Sequence, residues 1–166
     1  IYEARPTWFL MENVSNAPEP VGIGYFVKSV LLNNRQFGGE QNRVRRFSFG
    51  TRDGRVLMPR IVALEPFACE CAVTGSMGGR RCNPSADPKR TRLGEKNQRA
   101  KERSLADSAR LQGLPADFDL PPFTAIAKKR AIGNGVPYPL ARAVAQAVRE
   151  AIAADMKPVA ACGLGG

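Results

Sequence analysis

Two groups of residues have the types and the spacing that chemistry on a bound ligand requires. Glu12 ends the apolar run Thr-Trp-Phe-Leu-Met-Glu, a pattern that predicts a buried strand with a functional side chain at its tip. Arg43 and Arg45 stand two residues apart, and residues two apart on a strand point the same way. Their guanidinium groups are therefore expected to reach one pocket together. A basic edge strand is the alternative explanation of the same pentapeptide, Gln-Asn-Arg-Val-Arg.

Positive charge is concentrated in the middle of the chain. The net charge is +10, which favours a polyanionic partner such as nucleic acid. Nine Lys or Arg and three acidic residues between positions 80 and 103 contribute +6 of this charge. This segment is predicted to be either a solvated loop or a loop that contacts phosphates. The candidate phosphate contacts are Arg80, Arg81, Lys89, Arg90 and Arg92.

The cysteines do not define a metal site. Cys69, Cys71 and Cys82 are clustered, but the sequence has no His, and Cys162 lies in a Gly-rich tail. Zinc sites need four ligands at recognised spacings, so we expect reduced structural thiols and no metal, with a structural zinc site as the less favoured alternative. No apolar run reaches the 18 residues that a membrane span requires. The N-terminus has the pattern of a strand and not of a basic-apolar signal peptide, so we expect a soluble, intracellular protein. Because the first residue is Ile1 and not Met, we also expect a chain that is truncated at its start.

The elements that must position these residues follow from hydrophobic periodicity and turn signals. Short apolar or alternating runs predict four strands, and Asp-Gly at 53–54 predicts a hairpin between the last two. Ser104 opens a Ser-x-x-Asp capping box, and Gly113 closes that helix. Pro139 starts the longest helix, whose apolar residues recur every four positions and predict a core-facing stripe. The strands cover residues 7–12, 25–32, 43–49 and 56–64, and the stripe contains Leu140, Val144, Val148 and Ile152.

Four segments, taken in order, resemble the sixth, eighth, ninth and tenth motifs of the DNA (cytosine-5) methyltransferases. Each is short, but four in the family's order indicate the family. They are residues 6–14, which end in Glu-Asn-Val; 41–45, Gln-x-Arg-x-Arg; 104–118, with Arg-Leu-Gln-Gly-Leu-Pro; and 131–137, with Gly-Asn-Gly-Val before the long helix.

The resemblance implies a role for each candidate residue. Glu12 would bind a flipped cytosine at N3 and at its exocyclic amine, since a carboxyl group can present a proton to N3 and accept a hydrogen bond from the amine. The family assigns arginines such as Arg43 and Arg45 to the cytosine O2 and a nearby phosphate. The turn Gly133–Gly135 would help wall the S-adenosylmethionine pocket, with Asn134 at its centre, because glycine allows close backbone approach.

The chain departs from the family in lacking two segments that methyl transfer needs. The family adds a thiolate from a Pro-Cys loop to C6, and no cysteine here follows a proline. The cofactor loop Phe-x-Gly-x-Gly is also absent, because Gly22-Ile23-Gly24 follows the Glu-Asn-Val strand instead of preceding it. Both would lie upstream of Ile1. In addition, the connection at residues 15–23 lacks the usual crossover helix, and Glu40 replaces a proline.

We therefore expect an α/β fold: part of a Rossmann-like methyltransferase sheet, interrupted by a small irregular target-recognition insert that projects toward DNA. The first and last segments should pack together. The regions would be the catalytic sheet 1–64, the insert 65–103, returning helices 104–157 and a flexible tail 158–166.

The expected function is cytosine-5 methylation of double-stranded DNA with S-adenosylmethionine. The chain would act as a fragment, or as one subunit of a split enzyme whose separate N-terminal half carries the missing motifs. A non-catalytic DNA-binding module and an inactive remnant are the alternatives. The expected location is cytoplasmic, as for a prokaryotic or phage-type nucleoid-associated enzyme.

Overall fold

The computed structural model describes residues 1–62, 70–74 and 103–153. Within these ranges the chain forms five strands, one 3₁₀ helix and three α-helices, which confirms the predicted α/β class. The strands are β1 (Trp8–Val14), β2 (Phe26–Asn33), β3 (Gln41–Asn42), β4 (Val44–Thr51) and β5 (Glu70–Cys71). The helices are the 3₁₀ helix Asn34–Phe37, α1 (Leu105–Leu111), α2 (Ala125–Asn134) and α3 (Tyr138–Ala153).

Three strands form the central sheet in the order β1-β4-β2. Because β4 is antiparallel to both neighbours, β1 and β2 run in the same direction on either side of it. The carboxyl ends of β1 and β2 therefore meet the amino end of β4, where Arg45 pairs with Val14 and Val44 with Asn33. The connection between β1 and β2 passes β4 through residues 15–25 and contains no helix, as the sequence predicts.

One face of the sheet is covered by α3 and forms the main core. A helix of 3.6 residues per turn brings positions four apart to one side, so the predicted apolar stripe faces the sheet. Leu140, Val144 and Val148 are buried, which confirms that prediction. The whole core consists of Leu32, Phe37, Phe47, Phe49, Leu57, Leu140, Val144, Ala147 and Val148.

The opposite face is covered by the connection between β1 and β2. The ring of Phe9 lies over Gly50, where an added Cβ would stand 2.1 Å from the ring, so glycine at this position lets the ring lie on the neighbouring strand. Tyr25 meets Phe9 edge-on with ring centroids 5.3 Å apart. Arg46 of β4 donates a hydrogen bond of 2.9 Å to the carbonyl of Ser15. These contacts hold the connection against the sheet.

The remaining elements form a smaller layer beside the end of the sheet. β3 and β5 pair in parallel. α1 begins after Ser104, whose hydroxyl accepts from the amide of Asp107 at 2.9 Å, so the predicted cap is confirmed. Beyond α1 the chain turns at Gly113, which has a φ of 72°. The elements of this layer bury a second core of Val73, Ala109, Leu111 and Ile132.

The strand predicted for residues 56–64 is wrong where the structure describes it. Residues 56–62 follow β4 as an irregular segment, because β4 already has a strand on each side and Pro59 has no N–H for a ladder. The Asp-Gly turn itself forms, with a φ of 81° at Gly54, but no hairpin follows it.

The turn predicted at residues 133–135 is also different from the structure. Gly133 and Asn134 belong to the last turn of α2, and Gly135 follows the helix as its cap. The sequence analysis did not predict α2. Its start is defined by Thr124, whose hydroxyl accepts from the amide of Ala127 at 3.3 Å.

Only part of the predicted insert lies within the described residues. Two of these residues do not project: Val73 is fully buried, and Arg103 is 4% exposed and lies 2.8 Å from the carboxylate of Glu70. The division of the chain into four regions stays a prediction. Among the residues described, no helix has the length and apolar character to cross a membrane.

Replacing Leu140 by Ala is expected to lower the free energy of unfolding by about 2–5 kcal/mol, because its side chain is fully buried between α3 and the sheet. Leu31→Ala is the matched control, since Leu31 is 51% exposed and its loss should cost about 1 kcal/mol or less. Urea unfolding followed by circular dichroism measures both. Equal losses in the two variants would contradict the packing of α3 on the sheet.

Candidate active site

Glu12 and Arg45 meet at the carboxyl end of β1. Arg45 Nε lies 2.9 Å from Glu12 Oε1, and the side chains are 19% and 30% exposed, respectively. In the β1–β4 register Glu12 pairs with Phe47 and Arg45 pairs with Val14, so the two side chains are diagonal neighbours on one face of the sheet. The pair presents a carboxylate and a guanidinium side by side, both within reach of solvent.

Arg43 turns away from this pair into the protein. It lies in the break between β3 and β4, so the strand alternation that places Arg45 does not apply to it. Its side chain is 1% exposed in total, and the guanidinium donates to the carbonyls of Val73, Gly133 and Gly135, the last two at 2.9 Å. The two guanidinium groups therefore bind different partners, and the prediction that they reach one pocket together is wrong. A contact between Arg43 and a cytosine stays a prediction.

The acceptors of Arg43 explain why a charged side chain is buried there. Carbonyls at the C-terminal end of a helix have no partner within the helix and carry partial negative charge. Gly133 and Gly135 lie at that end of α2, and Arg43 supplies their donors. The pKa of Arg43 is lowered to about 10, first by burial and then by the positive charge of Arg45, while the negative charge of Glu12 opposes the shift. Arg43 is therefore still a cation at neutral pH.

Gln41 and Gln112 complete, with Arg43, a buried cluster that we name the polar joint. Gln41 Nε2 donates to the carbonyl of Leu111 at 2.7 Å and to Gln112 Oε1 at 3.0 Å. Gln41 Oε1 accepts from the amide of Val73 at 3.0 Å. Gln41 and Arg43 thus hold both the N–H and the carbonyl of Val73, as a neighbouring strand would.

Gln112 connects the three helices. Its Nε2 donates to the carbonyl of Ile132 at 2.5 Å and to that of Gly135 at 3.3 Å. Its backbone carbonyl accepts from the amide of Tyr138, the first residue of α3, at 2.8 Å. The end of α1, the end of α2 and the start of α3 are therefore fixed relative to β3 by buried hydrogen bonds, which are costly to break.

Among the three residues predicted to wall a cofactor pocket, Asn134 is the one whose side chain is available. Gly133 is buried, and the carbonyls of Gly133 and Gly135 are both engaged by Arg43. The amide of Gly135 donates to carbonyls within α2. The exposed amide of Asn134 can donate and accept, which fits the amino-acid and ribose groups of S-adenosylmethionine. The fit of this chain to the cofactor therefore rests on Asn134.

Two cavities flank α3. The larger has a volume of about 460 Å³ and lies between α3 and residues 58–62; Tyr138 lines it, and Asn134 does not. This volume is in the range of small-molecule sites. The smaller, of about 370 Å³, lies at the other end of the sheet from Glu12, where Trp8 and Ile152 line it together. The first and last described segments meet at this smaller cavity, as the sequence analysis expects.

Several predicted residues lie outside the part of the chain that the structure describes, so their roles stay predictions. In the described ranges, no group of three His, Cys, Asp or Glu residues is arranged to hold a metal. Among the residues singled out from the sequence, those outside the described ranges are Cys69, Cys82 and Cys162 and the candidate DNA contacts Arg80, Arg81, Lys89, Arg90 and Arg92.

Sequence analysis missed the burial of Gln41 and Gln112. Gln41 stands in the Gln-x-Arg-x-Arg segment, and Gln112 directly precedes Gly113, which ends α1. A glutamine next to a helix-ending glycine is the signal that was available, because its amide can satisfy helix-end carbonyls that the chain leaves without partners.

The family of the chain follows from comparison with known proteins. A family model described as C-5 cytosine-specific DNA methylase matches residues 68–150, half of the chain. The chain therefore belongs to the C-5 cytosine-specific DNA methylase family. The matched range contains Gln112 and Asn134, whereas Glu12 and Arg45 lie before it.

The fold is also similar to that of a solved methyltransferase. The structure reported as "Structure Analysis of Entamoeba histolytica methyltransferase EhMeth" matches 92% of this chain with a TM-score of 0.56 and 12% sequence identity. At that identity the similarity shows the fold alone. The chain spans 64% of the length of that structure. A comparison with curated proteins gives no match.

Proposed function

We propose that this chain is the C-terminal part of a C-5 cytosine DNA methyltransferase that acts on double-stranded DNA together with an N-terminal half. The observation that carries the proposal is the Glu12–Arg45 pair at the carboxyl end of β1, in a chain of the methylase family. The three-stranded sheet would be one edge of a Rossmann-like sheet, continued by further strands beside β1. The N-terminal half would supply the Pro-Cys nucleophile and the Phe-x-Gly-x-Gly loop, which these 166 residues lack.

In the proposed reaction Glu12 binds a cytosine that has been flipped out of the duplex. Its carboxylate would take up a proton from solvent when the base binds, donate that proton to N3, and accept a hydrogen bond from the exocyclic amine. This makes C6 more electrophilic toward the thiolate of the N-terminal half. Arg45 positions that carboxyl group and offers further N–H donors to the cytosine O2 or to an adjacent phosphate.

S-adenosylmethionine supplies the methyl group when it is bound. Asn134 is the residue of this chain that would hold it, through its exposed side-chain amide at the end of α2. Gly133 and Gly135 have no side chain, so a ligand could approach the backbone closely on either side of Asn134.

The basic segment between residues 80 and 103 would contact DNA phosphates, because it carries +6 of the net charge of +10. The same charge supports a second candidate, a DNA-binding module without catalysis, and the missing nucleophile supports a third, an inactive remnant. Methyl transfer after complementation separates the enzyme from both. DNA affinity without methyl transfer favours the binding module. The cytoplasmic location and the prokaryotic or phage origin stay predictions.

Alone, the chain is expected to transfer no label from tritiated S-adenosylmethionine to mixed-sequence DNA, because the nucleophile and the cofactor loop are absent from it. Mixed with the N-terminal half of a related C-5 methylase, it should become active. Glu12→Gln should then reduce turnover by roughly 10²–10⁴-fold, the usual value of one general-acid contact.

The matched control is Glu19→Gln, since Glu19 pairs with Arg46 at a distance from this pair and is 63% exposed. DNA affinity should change little in either variant. Label transferred by the chain alone would overturn the requirement for a second half. An active mixture that tolerates Glu12→Gln would show that Glu12 is only a surface acid at a strand end.

DNA binding by the chain is expected to weaken steeply with salt. If roughly four phosphates are contacted, the logarithm of the affinity should fall with the logarithm of salt concentration at a slope of about −3.6. Replacing Lys89, Arg90 and Arg92 by Ser should make the slope shallower, whereas the same change at the exposed Lys28, Arg142 and Arg149 should not. Fluorescence anisotropy with a labelled duplex measures both. Salt-independent binding, or equal effects of the two triple variants, would refute the assignment.

A further inference from the structure

The guanidinium of Arg43 holds the backbone on both sides of Asn134. Arg43 Nη2 donates to the carbonyl of Gly133 and to the carbonyl of Gly135, each at 2.9 Å. These carbonyls belong to the residues immediately before and after Asn134. Asn134 itself is exposed to solvent, and Arg43 contacts the backbone on either side of it from the protein interior.

This arrangement restricts the peptide at a point where the sequence provides little stiffness. Two glycines flank Asn134, and glycine allows a wide range of backbone angles. Two hydrogen bonds from one rigid, planar cation select a single path for the chain between them. Gln112 adds a third donor, to the carbonyl of Gly135 at 3.3 Å. The direction of the Asn134 side chain therefore depends on the polar joint.

The backbone of Arg43 is itself fixed to the end of β2. Its backbone amide donates to Asn33 Oδ1 at 3.2 Å, and its carbonyl accepts from the amide of Asn34 at 3.0 Å. Two residues later, Arg45 faces Glu12. The segment 43–45 thus contacts the backbone on both sides of Asn134 through the side chain of Arg43, and the Glu12 carboxylate through the side chain of Arg45.

We propose that Arg43 is a positioning residue that sets the orientation of Asn134 relative to the Glu12–Arg45 pair, and thereby the affinity of the assembled enzyme for S-adenosylmethionine. The inference rests on the proposed function. It differs from the role that the resemblance implies for Arg43, because the guanidinium acts through the backbone of α2 and does not touch the base.

The test uses the chain together with the N-terminal half of a related methylase and measures equilibrium binding of S-adenosylmethionine by calorimetry. Arg43→Lys keeps a positive charge but replaces two terminal nitrogens, one on Val73 and the other on Gly133 and Gly135, by a single ammonium, which cannot occupy both positions. It should weaken cofactor binding about tenfold, the order of one hydrogen bond to a charged group. The number of binding sites per folded complex should stay the same.

This readout separates positioning from a loss of folding. Partial unfolding lowers the number of sites and leaves the dissociation constant of the remaining sites unchanged, whereas a displaced Asn134 raises the dissociation constant. Asn134→Ala should weaken binding as well, and the double variant Arg43→Lys/Asn134→Ala should be no weaker than Asn134→Ala alone. Arg46→Lys, the same substitution on the other face of β4, should bind as the parent does.

If Arg43→Lys does not fold, Gln112→Met tests the same idea, because it removes the donor to Gly135 and keeps the side-chain length. A Gln112→Met complex with the parental dissociation constant would overturn the inference. Parental affinity in Arg43→Lys, or additive effects in the double variant, would also overturn it and leave the proposed function intact. A parental mixture that binds no S-adenosylmethionine would overturn the proposed function, and this inference with it.

Discussion

Carbonyl groups of buried residues at a helix end must find donors, and this requirement organises the end of the sheet where the candidate active site lies. Ile132 and Gly133, in the last turn of α2, are buried, so their carbonyls need donors from the protein. The polar joint supplies the donors: Arg43 to Gly133 and Gly135, and Gln112 to Ile132. Because Arg43 and Gln41 also hold Val73, the same groups fasten the segment that leads into the undescribed basic region.

Arg43, in the polar joint, and Arg45, two positions later, have different roles. Arg45 lies within β4, is partly exposed, and pairs with Glu12 at 2.9 Å. Arg43 lies just before β4, is buried, and binds only carbonyls of the protein. The first is placed to meet a substrate and the second to hold the structure around it. Charge connects them, since Arg45 contributes to lowering the pKa of Arg43 and Glu12 opposes that effect.

Much of the fold was predictable because its signals are local. The apolar stripe of α3, the cap at Ser104 and the strand of Val44–Thr51 each follow from a period or a capping pattern within a few residues. The α/β class and the family followed from motif order. The position of Glu12 at the carboxyl end of β1 also agrees with the sequence prediction.

The parts that sequence did not predict depend on contacts between distant segments. α2 has little apolar periodicity, with Ile126 67% exposed, so its helical state relies on good helix formers, the Thr124 cap and the joint at its end. The burial of Arg43 was not predicted, because side chains alternate between the two faces only along a continuous strand, and Arg43 lies in the break between β3 and β4. The strand predicted at residues 56–62 failed because the neighbouring strand had no edge left to pair with, a fact of topology that local pattern does not contain.

Arg43 holds the helices to the sheet, and equilibrium unfolding of Arg43→Met beside Arg46→Met tests this role most directly. Methionine keeps much of the side-chain volume and removes every side-chain donor, so the carbonyls of the buried residues Val73 and Gly133 lose the donors that Arg43 supplies, and that of Gly135 keeps the donor from Gln112. Arg43→Met should therefore lower the free energy of unfolding by roughly 3–5 kcal/mol. Arg46→Met removes a partly exposed ion pair and an exposed hydrogen bond to Ser15, and should cost only about 1–2 kcal/mol. A loss in Arg43→Met no larger than that in Arg46→Met would contradict the account.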